Sequence, residues 1–407
     1  MPGIAIEFAQ NVSLPRRLLF ITERFAPDVG GVARSATRTA AAIAGLGVET
    51  QVLAWTRTLP AGKMESRVYE AAASSGAKMV VHRLGLFANL DYSLQHTLTI
   101  LEAWHARHEY DGVWGHYVSP AGFLAVLFGE SVGIPATVSA RGNDVDMLMF
   151  PPGDFARLTW TLSRARLVTA VSYDLARKIQ VLVPAQRAVH VVPNSVDPEM
   201  FHPAPADESL RSALGIQCDE LVLAFSGELR HKKGIAPLLA AFVAARRIRP
   251  TCLLVIGEVR VRDQALLASF AAEHPEDRHR LIVTGHLEDP REVVRHLRLA
   301  DIFLQPSMWD GMPNAVLEAM ACERLVLASD AGGIPETIED RKSGFIVARS
   351  DLHRLGEAVL ELASLPNEQK QFIGQAARQR VLTTFSPQHE AKALHEVLNE
   401  LQKSSTT

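Results

Sequence analysis

The stretch SMWDGMPNAVLEAMAC, residues 307–322, places one charge, Glu318, inside a segment that otherwise reads as an apolar helix. A lone carboxylate in such surroundings is costly and ends up protonated or paired. With Pro313 as the first helical residue, where its missing N–H costs nothing, the turn of about 100° per residue sorts the side chains. Val316, Leu317 and Met320 fall away from Glu318 or on its flank, whereas Asn314, Ala315, Ala321 and Cys322, all small, share its side. The bulky face is predicted to pack on a sheet. The narrow face is either a solvated surface with a harmless Glu, or a face that admits a ligand.

Asp310 precedes this helix, and from Pro313 to Glu318 the rise is about 7.5 Å at ~1.5 Å per residue. Two acidic groups therefore bracket a helix N-terminus, which offers free N–H groups and a partial positive charge. A diphosphate fits that N-terminus. The carboxylates would then hold hydroxyls at either end, a ribose at Glu318 and a second sugar at Asp310. Basic groups come from GELRHKKG, residues 227–234, which sets Arg230, His231, Lys232 and Lys233 between two glycines. Alone this would be a solvated basic turn; beside an acidic-flanked helix N-terminus it reads as a phosphate clamp.

Outward from this stretch, short apolar runs alternate with helical patterns. Strands are predicted at 17–22, 49–55, 112–117, 135–140 and 166–172, and again at 221–227, 251–257, 281–285, 302–307 and 324–330. Continuous apolar runs alternating with helices imply parallel sheets covered on both faces. Two such sets in 407 residues predict two doubly wound α/β domains, with the Pro- and Asp-rich segment 193–206 as linker. Ligands of such sheets sit at the carboxyl ends of strands. Gly30-Gly31, GELRHKKG and DGMPN all follow predicted strands.

Composition bounds the function. Hydrophobic residues make up 47%, charged residues 21%, and the formal net charge is −3, which argues against a nucleic-acid partner. Cys218, Cys252 and Cys322 are scattered, so neither a disulfide frame nor a zinc site is expected. The start MPGIAIEFAQNVSLPRR lacks the pattern of a signal peptide, and no run of eighteen apolar residues predicts a membrane-spanning helix. A cytoplasmic protein is expected, with peripheral contact on the inner membrane face left open.

The motifs FAPDVGGVARS (25–35), GIPATVSARGND (133–144), VVPNSVDPEMFHP (191–203), GELRHKKG, LVIGE (254–258), ADIFLQPSMWDGMPNAVLEAMA (300–321) and GGIPETIEDRKSGFIV (332–347) together resemble the large retaining glycosyltransferase family that includes glycogen and sucrose synthases and bacterial mannosyltransferases. The resemblance implies the GT-B fold: two Rossmann-like domains whose parallel sheets face an interdomain cleft. It divides the chain into an acceptor-side domain at 1–195, a donor-binding domain at 196–378, and a carboxy-terminal helix at 379–407 crossing back to the first domain. The family's acidic pair reads here as Asp310 and Glu318.

By that resemblance, Gly31 lets a helix N-terminus approach the donor phosphate, Lys233 pairs with the diphosphate, and Glu318 binds the ribose. Asp310, with the backbone of Gly311, Met312, Pro313 and Asn314, holds the transferred sugar and phosphate oxygens, and His286 and Leu287 lie near the nucleobase. Three departures stand out. The usual Arg of the basic loop is Glu228, for which Arg230 is the expected substitute. The first acidic residue is Asp310 where Glu is common. The usual His-Gly is Arg141-Gly142, a fixed cation that cannot act as a base and that suits an acidic acceptor or a phosphate oxygen. His116 is the alternative candidate base or acceptor contact.

The implied reaction moves a sugar from a nucleoside diphosphate sugar to a hydroxyl of a sugar, a lipid-linked glycan or a small molecule, with retention of anomeric configuration. No Asp-x-Asp pair is placed as a magnesium ligand set, and GNDVD (142–146) reads as an acidic loop, so no metal and no cofactor are expected. The rival readings are a GT-B-fold nucleotide-sugar epimerase, whose motif set differs, and a catalytically silent nucleotide-sugar-binding module. Arg34 and Arg38, four apart on one predicted helix, are either a solvated basic face or a lipid contact.

Overall fold

A computed structural model describes residues 14–70, 77–183 and 188–403. The first thirteen residues, and with them most of the stretch examined for a signal peptide, lie outside the described residues. The chain divides into two compact units, Met1–Asn194 with Pro387–Thr407, and Ser195–Ser386.

The first unit is built on an eight-stranded sheet. Its strands are β1 (Arg17–Thr22), β2 (Glu49–Thr56), β3 (Met64–Glu70), β4 (Lys78–Gly85), β5 (Gly112–His116), β6 (Ala136–Ala140), β7 (Leu167–Ala170) and β8 (Val189–Val191). Their order is β3-β4-β2-β1-β5-β6-β7-β8, and every pair is parallel except β3 with β4. The order reverses between β1 and β5, which makes that edge the topological switch point. β1, β5, β6 and β7 are buried almost throughout, as their unbroken apolar runs require.

The second unit carries β9 (Leu221–Ser226), β10 (Thr251–Ile256), β11 (Leu281–Val283), β12 (Ile302–Gln305), β13 (Leu325–Ser329) and β14 (Phe345–Val347) in the order β11-β10-β9-β12-β13-β14. All five pairings are parallel. Its switch point lies between β9 and β12. Both sheets are doubly wound.

Three expectations are corrected. Part of the segment 57–78, where no strand is predicted, is the antiparallel edge strand β3; its side chains are mostly exposed, so no apolar run announces it. The boundary expected at 378 falls inside the helix Asn367–Thr384; the units divide instead at Ser386 and Pro387. Residues 379–386 thus belong to the second unit, and only the helix Pro387–Lys403 joins the first. That helix buries Leu394, Val397, Leu398 and Leu401 in the core formed by Leu18, Phe20, Ile43 and Trp114, an i, i+3, i+4, i+7 stripe. Third, GNDVD is not a loop: Asn143–Asp146 forms a single helical turn.

Candidate functional site

In the second unit the strands beside the switch point each feed a loop, and the two loops are bound together. After β9 the basic loop makes a tight turn at His231–Lys233 and closes at Gly234, which has φ +78°. A Cβ on Gly234 would stand 1.9 Å from the Pro306 carbonyl oxygen, so only glycine lets this loop approach the one that follows β12. Met308 N–H donates to the Lys232 carbonyl at 2.8 Å, and the Lys233 ammonium donates to Asp310 Oδ2.

Asp310 is held from several sides. Its Oδ1 accepts from Gly311 N–H at 3.1 Å, and its Oδ2 accepts from Ser307 Oγ at 3.2 Å. Gln305 Nε2 donates to Ser307 Oγ at 2.8 Å, and Ser329 Oγ donates to the Ser307 carbonyl at 2.6 Å. Burial works against the charge on this carboxylate, but Lys233 and Lys232 outweigh it and hold its pKa below the ordinary value. Behind it, Gly332 (φ +53°) packs so tightly that an added Cβ would meet the Asp310 carbonyl at 1.8 Å, and Gly333 N–H donates to the Gly311 carbonyl at 2.6 Å. The loop GGIPE after β13 thereby fixes the Asp310–Gly311 backbone.

The helix Asn314–Ala321 starts one residue later than expected, with Pro313 as its extended N-cap residue. No side chain caps it, so its first N–H groups remain for another acceptor. Ala315 through Ala321 are all buried, and Glu318 is only 4% exposed. That overturns the solvated-face alternative: this helix carries its carboxylate in the protein interior. Gly311, Met312 and Pro313 are buried and Asn314 half-buried. His286 and Leu287 lie in the loop after β11, the histidine exposed and the leucine half-buried.

Glu228, the unexpected acid of the basic loop, stands between two cations. Its Oε2 is 3.3 Å from Arg230 Nη1 and its Oε1 is 3.1 Å from Arg260 Nε. Arg260 belongs to the loop after β10, and a backbone bridge between Leu229 and Val259 joins the two loops. Sequence reasoning missed Arg260; the signal was its place in GEVRVRD, directly after the strand that neighbours β9.

In the first unit a second polar cluster gathers at the carboxyl ends of β1, β5 and β6. His116, the last residue of β5, is completely buried; its Nε2 lies 2.9 Å from Ser35 Oγ on the helix Gly31–Gly45. Burial, with the charges of Arg141 and Arg38, pushes its pKa well below the ordinary value, so the ring is neutral. Arg141 Nη2 donates to Asn194 Oδ1, and Arg38 Nη2 donates to the same oxygen at 2.7 Å. Arg38 Nε is also paired with Glu390 Oε2 at 2.7 Å. Burial, then the neighbouring Arg38, lowers the Arg141 pKa to about 10, and the group stays a cation at neutral pH.

Asp144 accepts from Arg141 N–H at 2.9 Å and Val118 N–H at 2.9 Å, yet burial raises its pKa to about 6. Glu23, just past β1, is raised to about 7 by burial and by the charge of Asp144. Gly30 takes φ +120° and Gly31 opens its helix with nothing within 4 Å of a built Cβ, leaving that N-terminus accessible. The structure therefore brings His116 and Arg141 together, and adds Ser35, Arg38, Asn194 and Glu390, which no local motif could have linked. Arg38, one of the two arginines read as a solvated or lipid-facing pair, is engaged in this cluster; Arg34 is exposed.

Among the described residues one trio, His274, Glu276 and Asp277, could gather a metal ion. None of the three belongs to either cluster, and Asp277 Oδ1 is already paired with Arg246 Nε at 2.5 Å. No helix among the described residues is long and apolar enough to cross a membrane.

Comparison with known proteins identifies the family. Residues 206–380 match the family described as Glycosyl transferases group 1, and residues 29–200 match Glycosyltransferase Family 4. The α-maltose-1-phosphate synthase of Mycolicibacterium smegmatis is 31% identical over 310 residues, 70% of this chain and 77% of that protein. Two solved structures share the fold at low identity. Sucrose-phosphate synthase from Thermosynechococcus elongatus has TM-score 0.78 and 18% identity, covering 96% of this chain and all of that one. HepE of Anabaena, solved with UDP and glucose, has TM-score 0.75 and 17% identity, covering 94% of this chain and 99% of that one. With two doubly wound parallel-sheet units of the GT-B type and both halves matched, the chain belongs to the group 1, family 4 glycosyltransferases.

Proposed function

We propose that this glycosyltransferase moves a hexosyl group from a nucleoside diphosphate sugar to an acceptor hydroxyl with retention of anomeric configuration. The observation that carries the reading is the pairing of Lys233 with Asp310 at the switch point of the second sheet, beside a helix N-terminus whose buried Glu318 lies about one turn further in. In this reading Lys233 exchanges Asp310 for the donor diphosphate, the N–H groups of Asn314 and its neighbours take the remaining phosphate oxygens, and Glu318 accepts from the ribose hydroxyls. Asp310 is then released to hold a hydroxyl of the transferred sugar. His286 and Leu287 flank the base.

The bond between the anomeric carbon and the β-phosphate oxygen breaks, and the acceptor oxygen bonds to that carbon on the same face. The acceptor proton passes to the departing phosphate oxygen. Lys233, the helix N-terminus and the Arg230 side of the basic loop stabilise the charge that develops there by preorganised electrostatics, which is why we propose catalysis without a metal ion. His116 is enclosed and neutral, so it acts as a positioning residue beneath Ser35 and Arg141. Acceptor chemistry belongs to the first unit, with a sugar, a lipid-linked glycan or a small molecule as the candidate classes and peripheral membrane contact compatible with the second of these.

The test is a thermal-shift screen of UDP, GDP, ADP and their common sugars, followed by product analysis of anomeric configuration. One nucleotide should raise the melting temperature, and Glu318→Ala and Lys233→Ala should abolish that rise. Ligand at a hundredfold excess over its dissociation constant adds about 2.7 kcal/mol of stability. A folded chain that responds to no nucleotide, or an inverted product, overturns the reading.

A further inference from the structure

Two guanidinium groups in the first unit converge on one neutral atom. Arg38 and Arg141 both donate to Asn194 Oδ1, although two like charges brought this close repel. Arg38 has a carboxylate of its own in Glu390. Arg141 pairs directly with no carboxylate among the described residues: the charges of Glu390 and Asp144 act on it only at longer range, Asp144 accepts instead from the backbone N–H groups of Arg141 and Val118, and the remaining guanidinium donors of Arg141 meet no acceptor among the described residues. His116 beneath cannot compensate, because it is neutral and enclosed. A half-buried guanidinium whose one hydrogen-bond acceptor is a neutral oxygen is a costly arrangement unless an anion completes it.

Position and shape say which anion. Arg141 follows β6 next to the switch point of the first sheet, the edge where ligands of such sheets bind. Its planar fork matches the oxygens of a phosphate ester or carboxylate in a bidentate pair. We infer that the acceptor carries an anionic group, a phosphate ester or a carboxylate, bound by Arg141, with Arg38 reinforcing the positive potential behind it. This rests on the transferase reading above and adds the acceptor class to it. Arg141 is on this account a specificity-determining residue, and a phosphate can reach it on a soluble molecule or as a lipid headgroup.

The experiment uses the full chain with UDP-glucose and GDP-mannose as donors and reads nucleoside diphosphate release. Acceptors are offered in pairs: glucose 1-phosphate with glucose, inositol 1-phosphate with inositol, and phosphatidylcholine vesicles with and without phosphatidylinositol. The anionic member of a pair is expected to show at least a tenfold higher kcat/KM. Arg141→Gln should erase that advantage, about ten- to a hundredfold and mainly through KM, while Arg141→Lys keeps part of it. Turnover on phosphatidylinositol vesicles without turnover on inositol 1-phosphate assigns the lipid source; the converse assigns the soluble one.

An uncharged acceptor used as well as its phosphate, or an advantage that survives Arg141→Gln, overturns the inference. If no acceptor turns over, inorganic phosphate is titrated against protein saturated with the nucleotide it binds. A melting-temperature rise in wild type that is absent in Arg141→Gln upholds the inference, and an equal or absent rise overturns it. Should Arg141→Gln fail to fold, the wild-type acceptor pairs and Arg141→Lys decide. Failure of every nucleotide to bind would sink the transferase reading instead, while inorganic phosphate titrated against the chain alone, wild type beside Arg141→Gln, still judges Arg141.

Discussion

The Glu228 carboxylate and the Arg260 guanidinium stand 3.1 Å apart, with Arg230 on the other side of the same carboxylate at 3.3 Å. An acid in a loop proposed to hold a diphosphate is thereby matched by two cations of the same unit. Glu228 is more than a third exposed, so its effect is screened by solvent.

Glu228→Gln takes the carboxylate away from both guanidiniums and removes one negative charge from the loop. Nucleoside diphosphate should bind more tightly, by up to about 1 kcal/mol or roughly fivefold, measured by calorimetric titration. Weaker binding would show instead that Glu228 is needed to aim Arg230.

Lys233 and Asp310 should separate in function although they are bonded. Lys233→Ala removes a charge-assisted donor and is expected to weaken nucleotide binding about ten- to a hundredfold, the equivalent of about 1.5–3 kcal/mol. Asp310→Asn takes away a competing anion and should leave nucleotide binding equal or tighter while turnover falls about 10²-fold or more. Equal losses of binding in both variants would place the diphosphate elsewhere.

Much of this was legible in the sequence, and the parts that were not share a cause. The ten strands read from apolar runs are all present, because a strand buried on both faces must be apolar along its length. The strands β3, β4, β8 and β14, each short or partly exposed, carry no such signal. Asp310 and Glu318 were readable because one helix relates them. The links from Arg38 to Asn194 and Glu390 span 156 and 352 residues, so no local spacing could announce them. Pro313 was assigned one position too far into the helix, since proline suits both the N-cap and the first turn.

Backbone closeness gives a sharper contrast. Gly332→Ala puts a Cβ 1.8 Å from the Asp310 carbonyl at a φ of +53°, so the backbone must move. The expected cost is about 2–4 kcal/mol, with loss of nucleotide binding. Gly31→Ala meets nothing within 4 Å and should change stability by less than about 1 kcal/mol. If the helix N-terminus at Gly31 receives the donor phosphate, Gly31→Ala nonetheless slows turnover at least about tenfold. Denaturant midpoints and initial rates, measured on the same samples, separate the two effects.

Catalysis by Lys233 and a helix N-terminus predicts turnover indifferent to chelation. Protein dialysed against EDTA should keep its initial rate within about twofold. Restoration of a lost rate by added magnesium would show that a cation shares the diphosphate.

Glu23 sets a pH dependence of its own. Folded, it keeps its proton up to about pH 7, whereas its ordinary pKa is 4.5, so between these values the folded chain binds more protons and stability falls as pH rises. Asp144, raised to about 6, acts in the same direction. His116, held well below 6.5, and His82, lowered to about 4 by burial and by His108, act oppositely: acid charges them only on unfolding, so stability rises with pH up to about 6.5. Between about pH 4.5 and 6.5 the two acids and the two histidines therefore oppose each other. Glu23→Gln removes one of the acids. Its melting temperature should match wild type near pH 4.5 and exceed it increasingly up to pH 8, toward a ceiling of about 3 kcal/mol. A difference that stays constant across this range would mean that Glu23 is ionised in the folded chain and finds a partner there.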